Sequence, residues 1–124
     1  MMRLFTILSL LVVATSALAQ DGIRSSDQKF SQAKLQSLIE GQVLEFFDGS
    51  KSTYEATARY GYTYTDDGPI WGGEYSVTGA SQICVEFDNG SSRCDTIVQA
   101  GERVVLITAD GERYPIRSIT ALKE

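Results

Sequence analysis

"TYEATARYGYTYTDDGPIWGGEYSV", residues Thr53 to Val77, alternates apolar and polar side chains through most of its length. From 54 to 64 the even positions read Tyr54, Ala56, Ala58, Tyr60, Tyr62 and Tyr64, and the odd positions between them read Glu55, Thr57, Arg59, Gly61 and Thr63. Successive side chains of a strand point to opposite faces, so the pattern describes extended chain with one aromatic, small-apolar face and one polar face. At about 3.3 Å per residue the run is about 40 Å long, more than most strands, and it is expected to bend or break at Gly61. The next run alternates as well: Trp71, Gly73, Tyr75 and Val77 oppose Gly72, Glu74, Ser76 and Thr78. A loop over Asp66–Pro69 places Tyr64 across from Trp71, Tyr62 across from Gly73 and Tyr60 across from Tyr75. A three-residue loop, Gly79 to Ser81, then sets Val77 opposite Ile83 and Tyr75 opposite Val85. The aromatic face thereby gains Ile83, Val85 and Phe87, and it points inward.

Turn chemistry punctuates the rest of the chain at Asp48-Gly49-Ser50, Asp88-Asn89-Gly90, Ala100-Gly101 and Asp110-Gly111. Strands are predicted near 42–47, 52–65, 70–78, 82–87, 92–98, 103–108 and 113–119. Loops of hairpin length leave no room for the crossovers that parallel pairing needs. The fold class is mainly β, an antiparallel meander of about seven strands forming a small barrel or sandwich. One short N-terminal helix packs on it, near 26–40, with Ser25 and Gln28 spaced as a capping box and Gly41 past its end. Its apolar stripe is Phe30, Leu35, Leu38 and Ile39.

The first 19 residues read as a signal peptide. Arg3 supplies the positive start, Leu4 to Val13 the apolar stretch and Ala17-Leu18-Ala19 the small-x-small cleavage site. The stretch is too short to span a bilayer, and residues 20–124 form a single domain. The expected location is periplasmic or secreted, with no membrane insertion after cleavage. Export places Cys84 and Cys94, the two cysteines of the chain, where a disulfide forms. A three-residue loop at 88–90 puts them directly opposite each other, but that register faces both cysteines outward and turns Arg93 and Asp95 toward the aromatic face. Either a bulge changes the facing between 88 and 95, or an Arg93–Asp95 pair sits at a rim.

The net charge is −5, one unit more negative once Arg3 leaves, which disfavours nucleic acid and anionic lipid surfaces. The chain has no histidine, which removes the commonest general base and most zinc sites, and no phosphate-cradling or nucleophile-elbow motif is present. Neither a cofactor nor a metal is implied. Glu45, Glu55, Glu74 and Glu86 could supply a carboxylate pair, but most of them occupy outward positions, so catalysis is not expected.

"GEYSVTGASQICVEFDNGSSRC" (73–94) and the later "ITADGERYP" (107–115) resemble small secreted proteins of Gram-negative bacteria that begin with a signal, a short helix ending in glycine and then strands. The resemblance implies an exported β-barrel-like domain and carries no catalytic residues over. In size, compartment, acidity and single disulfide the chain is also similar to periplasmic β-barrel inhibitors of hydrolases, including lysozyme inhibitors, whose basic targets an acidic surface would suit. The expected function is an exported, non-catalytic binding module for a protein or cell-envelope partner. The alternative is a small apolar or aromatic ligand held in the barrel interior by Tyr54, Tyr60, Tyr62, Tyr64, Trp71 and Tyr75.

Overall fold

A computed structural model describes residues 22–123; the signal segment, residues 1–19, lies outside the described residues. The chain runs through β1 (Gln28–Lys29), α1 (Gln32–Ile39), β2 (Gln42–Phe46), β3 (Lys51–Tyr54), β4 (Arg59–Thr63), β5 (Trp71–Gly79), β6 (Gln82–Phe87), β7 (Ser92–Ala100), β8 (Arg103–Ile107) and β9 (Arg113–Ala121). From β2 to β9 each strand pairs antiparallel with the next, and β9 returns to β2 with Leu44 opposite Ile119. The result is a closed eight-stranded up-and-down barrel, which leaves no long free edge to pair with other chains. The short β1 adds to β7 where β6 has ended, with Gln28 opposite Gln99.

The alternating run behaves as two strands. It breaks at Glu55–Ala58, and Gly61 sits unbroken inside β4. The amide of Ala58 donates to the Glu55 carbonyl, the amide of Glu55 donates to the Arg59 carbonyl, and Ala58 takes a left-handed φ of 70°. Five residues, Glu55 to Arg59, separate the paired Tyr54 and Tyr60, and this odd number preserves facing: both tyrosines point inward. The loop between β4 and β5 is longer than predicted, spanning residues 64–70. The register shifts by two, which puts Tyr60 opposite Gly73 and Tyr62 opposite Trp71. A two-residue shift keeps every side chain on its predicted face. The pairings Val77–Ile83 and Tyr75–Val85 are as predicted.

The helix is shorter than the sequence suggested. Ser31, rather than Ser25, is its N-cap, its hydroxyl accepting from the Lys34 amide. Residues 22–29 are held outside the barrel wall instead. The Asp27 carboxylate receives two bonds from the Arg113 guanidinium, and Ile23 packs on Val98, Val105 and Ile107, the outward side of β7–β8. This tether fixes where α1 begins. Gly41, with φ of 70°, ends the helix as predicted.

Leu35 and Ile39 of α1 are fully buried and join Leu44, Tyr54, Tyr75, Val77, Ile83 and Ile97 in one core. The helix therefore fills one mouth of the barrel. Ser81 fastens it: its amide donates to the Phe30 carbonyl, its hydroxyl accepts from the Phe30 amide, and its carbonyl accepts from Ile97. On the outer wall Cys84 and Cys94 form the disulfide, with a Cα separation of 4.0 Å, that of a pair without mutual backbone hydrogen bonds. A disulfide belongs to an oxidising, extracytoplasmic compartment. Among the described residues no helix is long and apolar enough to cross a membrane.

Gly73 faces the interior, and a Cβ there would lie 2.5 Å from the Glu86 carbonyl oxygen and 3.0 Å from the Phe87 Cα, both backbone atoms. Gly73→Ala is expected to cost about 1–3 kcal/mol, seen as a fall of several degrees in the thermal midpoint by circular dichroism. Gly79→Ala meets nothing within 4 Å and should leave the midpoint unchanged. Equal midpoints for the two variants would refute this account of the β5–β6 packing. Removing the disulfide with the pair Cys84→Ala and Cys94→Ala should lower stability in urea by about 2–3 kcal/mol.

Candidate functional site

In an up-and-down barrel, alternate loops fall at the same end. The loops at 47–50, 64–70, 88–91 and 108–112 therefore surround the mouth opposite α1. The six tyrosine and tryptophan positions predicted to bind ligand divide along the barrel axis. Tyr54, Tyr60 and Tyr75 are buried to 1%, 2% and 6% exposure and form a packed cluster. The Tyr54 ring stands edge-on to Tyr75 at 5.0 Å and tilted against Tyr60 at 5.2 Å. The Tyr75 hydroxyl donates to the Glu55 carbonyl. Burial raises the pKa of all three hydroxyls, which keeps them neutral. Tyr62, Tyr64 and Trp71 lie at the open mouth, where Tyr64 and Trp71 are exposed and Tyr62 is half-buried.

Two adjoining hollows occupy this mouth. One, about 260 Å³, lies among Phe46, Asp48, Tyr62, Tyr64, Arg93 and Tyr114; the other, about 190 Å³, lies among Tyr62, Tyr64, Trp71, Phe87, Asn89 and Arg93. Tyr114 belongs to the site and was not among the predicted residues. It is the second residue of β9, after a polar stretch, with no alternation to mark it. Arg93 forms the floor that both hollows share.

The ambiguity over residues 88–95 resolves in favour of unbroken facing. Phe87 and Ser91 are joined through the Asp88-Asn89-Gly90 turn, Gly90 has φ of 89°, and Cys84 stands opposite Cys94 with Val85 opposite Arg93 and Ile83 opposite Asp95. Both charged residues therefore enter the barrel. The Asp95 side chain is 4% exposed and that of Arg93 37%. Arg93 Nε donates to Asp95 Oδ2 at 2.9 Å and Nη2 to the Tyr60 hydroxyl at 2.9 Å, while the Tyr60 and Ser52 hydroxyls are 3.0 Å apart. The guanidinium also lies over the rings of Tyr62, at 5.6 Å, and Phe87, at 5.7 Å. Burial pushes the Asp95 carboxyl up, against the opposing pull of Arg93.

The surrounding loops are acidic. Asp48, Asp66, Asp67, Asp88, Asp110 and Glu112 all sit in them. Lys51 pairs with Asp66, Arg59 pairs with Asp88 and the Tyr114 hydroxyl donates to Glu112. Asp48 is held below its ordinary pKa by the hydroxyl and amide of Ser50. Of the four glutamates considered for chemistry, Glu55, Glu74 and Glu86 are exposed and Glu45 is half-buried on the outer side of β2. Among the described residues no cluster of three or more His, Cys, Asp or Glu is placed to hold a metal ion.

The buried carboxylate makes a pH signature. A folded-state pKa raised by burial means that Asp95 favours folding in its neutral form, a contribution present at low pH and lost as pH rises through that pKa. Arg93 moderates the loss by stabilising the charged form. Arg93→Gln should therefore destabilise the protein by about 2–3 kcal/mol at neutral pH, below the cost for a fully buried pair because Arg93 is partly solvated. The gap from wild type should narrow at about pH 4, and adding Asp95→Asn should recover most of the loss at neutral pH. Urea unfolding of the three proteins at the two pH values checks this; a gap independent of pH would contradict it.

Comparison of the chain with protein-family models, with curated proteins and with solved structures returns no match.

Proposed function

We propose that the protein is an exported, non-catalytic binding module whose recognition surface is the open barrel mouth, and that its partner is a basic protein or a basic component of the cell envelope. One observation carries this reading: Tyr64, Trp71 and Tyr114 stand exposed at the mouth within loops that bear six carboxylates, while the opposite mouth is filled by α1. Exposed aromatic rings supply contact area at low entropic cost, and they are enriched where proteins bind. Carboxylates around them steer a cationic partner and suppress anionic ones. A periplasmic or secreted location fits the disulfide and the leader. The outward placement of the four glutamates and the engagement of Asp95 by Arg93 favour binding over chemistry.

A second reading, a small ligand held by aromatic side chains, is favoured by the two hollows that Tyr62 and Arg93 share. Tyr54, Tyr60 and Tyr75 fill the barrel below them, so such a ligand would be confined to the mouth.

A basic lysozyme is a suitable first probe, followed by the cationic fraction of a periplasmic extract. A partner that uses this mouth should bind Trp71→Ala with Tyr64→Ser at least about tenfold more weakly than wild type, consistent with loss of two aromatic anchors. Asp67→Asn with Asp110→Asn should slow association and flatten its salt dependence. If a bound partner is indifferent to both sets of changes, the mouth is not its docking surface.

A further inference from the structure

We infer that Arg93 is the receptor for a single carboxylate carried by whatever enters the mouth. This rests on the reading of the mouth as the recognition surface and adds the chemistry of its floor. A guanidinium has five N–H groups; Arg93 uses one on Asp95 and one on the Tyr60 hydroxyl, and its Nη1 makes no hydrogen bond among the described residues. The edge that pairs Nη1 with the remaining N–H of Nη2 is therefore uncommitted.

Three features make that edge a receptor rather than a solvated surface charge. Asp95 and Tyr60, both buried, grip the inner side of the guanidinium and fix its orientation. Tyr62 and Phe87 lie against it at 5.6 and 5.7 Å and limit its hydration. It lines both hollows, one with Tyr114 and one with Trp71, so an approaching group meets aromatic walls on the way in. A planar guanidinium edge matches a planar carboxylate with two parallel hydrogen bonds.

The acidic loops decide which anion is admitted. A doubly charged phosphate must pass Asp48, Asp88 and Glu112, whereas a carboxylate brings one negative charge and meets one unsatisfied cationic edge. A carboxylate attached to an aromatic or otherwise apolar body fits the walls, and one flanked by positive charge fits the rim as well. The carboxylate could belong to a free small molecule or to the end of a peptide.

The experiment uses the exported protein, disulfide intact, with benzoate as probe and benzamide as its neutral isostere. In wild type, benzoate should shift the Arg93 side-chain Nε–H resonance and change Trp71 fluorescence, and benzamide should bind at least about tenfold more weakly, as expected when a charge-assisted pair is lost. Inorganic phosphate should bind more weakly than benzoate. Arg93→Lys keeps a cation beside Asp95 and so protects the fold, but lacks the forked edge; it should lose most of the preference for benzoate over benzamide. A short lysine-containing peptide with a free C-terminus, compared with its amidated form, separates the two sources: a preference for the free peptide that exceeds the benzoate preference assigns the carboxylate to a chain terminus, and its absence assigns it to a small molecule. Equal binding of benzoate and benzamide, or an Arg93 resonance unmoved by benzoate in the millimolar range, overturns the inference. Either result leaves the acidic rim and its partner untouched, since those are read from Asp67, Asp110, Tyr64 and Trp71.

Discussion

The pairing of β6 with β7 is the constraint on which the rest of the molecule depends. Strand side chains alternate with a period of two, so once Cys84 and Cys94 face each other on the outer wall, Ile83, Val85, Arg93 and Asp95 must face inward. No bulge interrupts these five paired positions. The disulfide and the charge pair are thus one structural decision, expressed on the two sides of the sheet. A barrel this small has little interior to give to a guanidinium and a carboxylate, and they are accommodated because each neutralises the other and Tyr60 and Ser52 extend the hydrogen bonding. Asp95, the most buried of the polar groups on β7, in turn holds the Arg93 guanidinium where it lines both hollows of the open mouth.

The aromatic stripe is divided by the same geometry. Residues nearer α1 are sealed: the Tyr54 ring packs edge-on to Tyr75 and tilted against Tyr60, with Leu35 and Ile39 closing the end. Tyr62 on β4, Trp71 at the start of β5 and Tyr64 in the loop between them lie toward the other end, where loops replace wall. Tyr62 is at the boundary, its ring edge-on to the exposed Tyr64 and close to Arg93. Core and binding surface are therefore two ends of a single stripe, and Gly73, across from Tyr60, lets β5 lie close against the β6 backbone at Glu86 and Phe87.

Much of this was legible in the sequence, and the exceptions have identifiable causes. Alternation gave the facing of every strand from β3 to β6, and Asp-Gly or Asn-Gly pairs marked the hairpins that close β2–β3, β6–β7 and β8–β9. The turn at Glu55–Ala58 was invisible because Glu-Ala-Thr-Ala contains none of the residues that favour turns, and Ala58 adopts a left-handed conformation that alanine rarely takes. The odd number of residues between the paired Tyr54 and Tyr60 kept the alternation in phase, so the pattern read through the turn as one long strand. The helix start was misplaced because a tether decides it: Asp27 is bound to Arg113, 86 residues away, a pairing that no local pattern announces. At the mouth, Trp71 and Tyr64 carried a signal through their aromatic character. Arg93 appeared only as a conflict with the disulfide register, and Tyr114, isolated in a polar stretch, did not appear at all.

That conflict is informative in physical terms. A sequence shaped only for packing would place apolar residues at 93 and 95, where the cross-strand neighbours are Val85 and Ile83, because replacing a buried ion pair by well-packed apolar groups is commonly neutral or stabilising. The fold has an alternative way to end its core, and it uses it at the other mouth, where Leu35 and Ile39 of α1 seal the barrel with hydrocarbon. The two ends of one small barrel thus solve the same problem differently, one with an apolar plug and one with a half-solvated cation anchored from below. Local violations of the patterning that otherwise governs a fold concentrate where function resides. In this chain the largest such violation, the aromatic rings left exposed and the acidic loops all converge on the same opening.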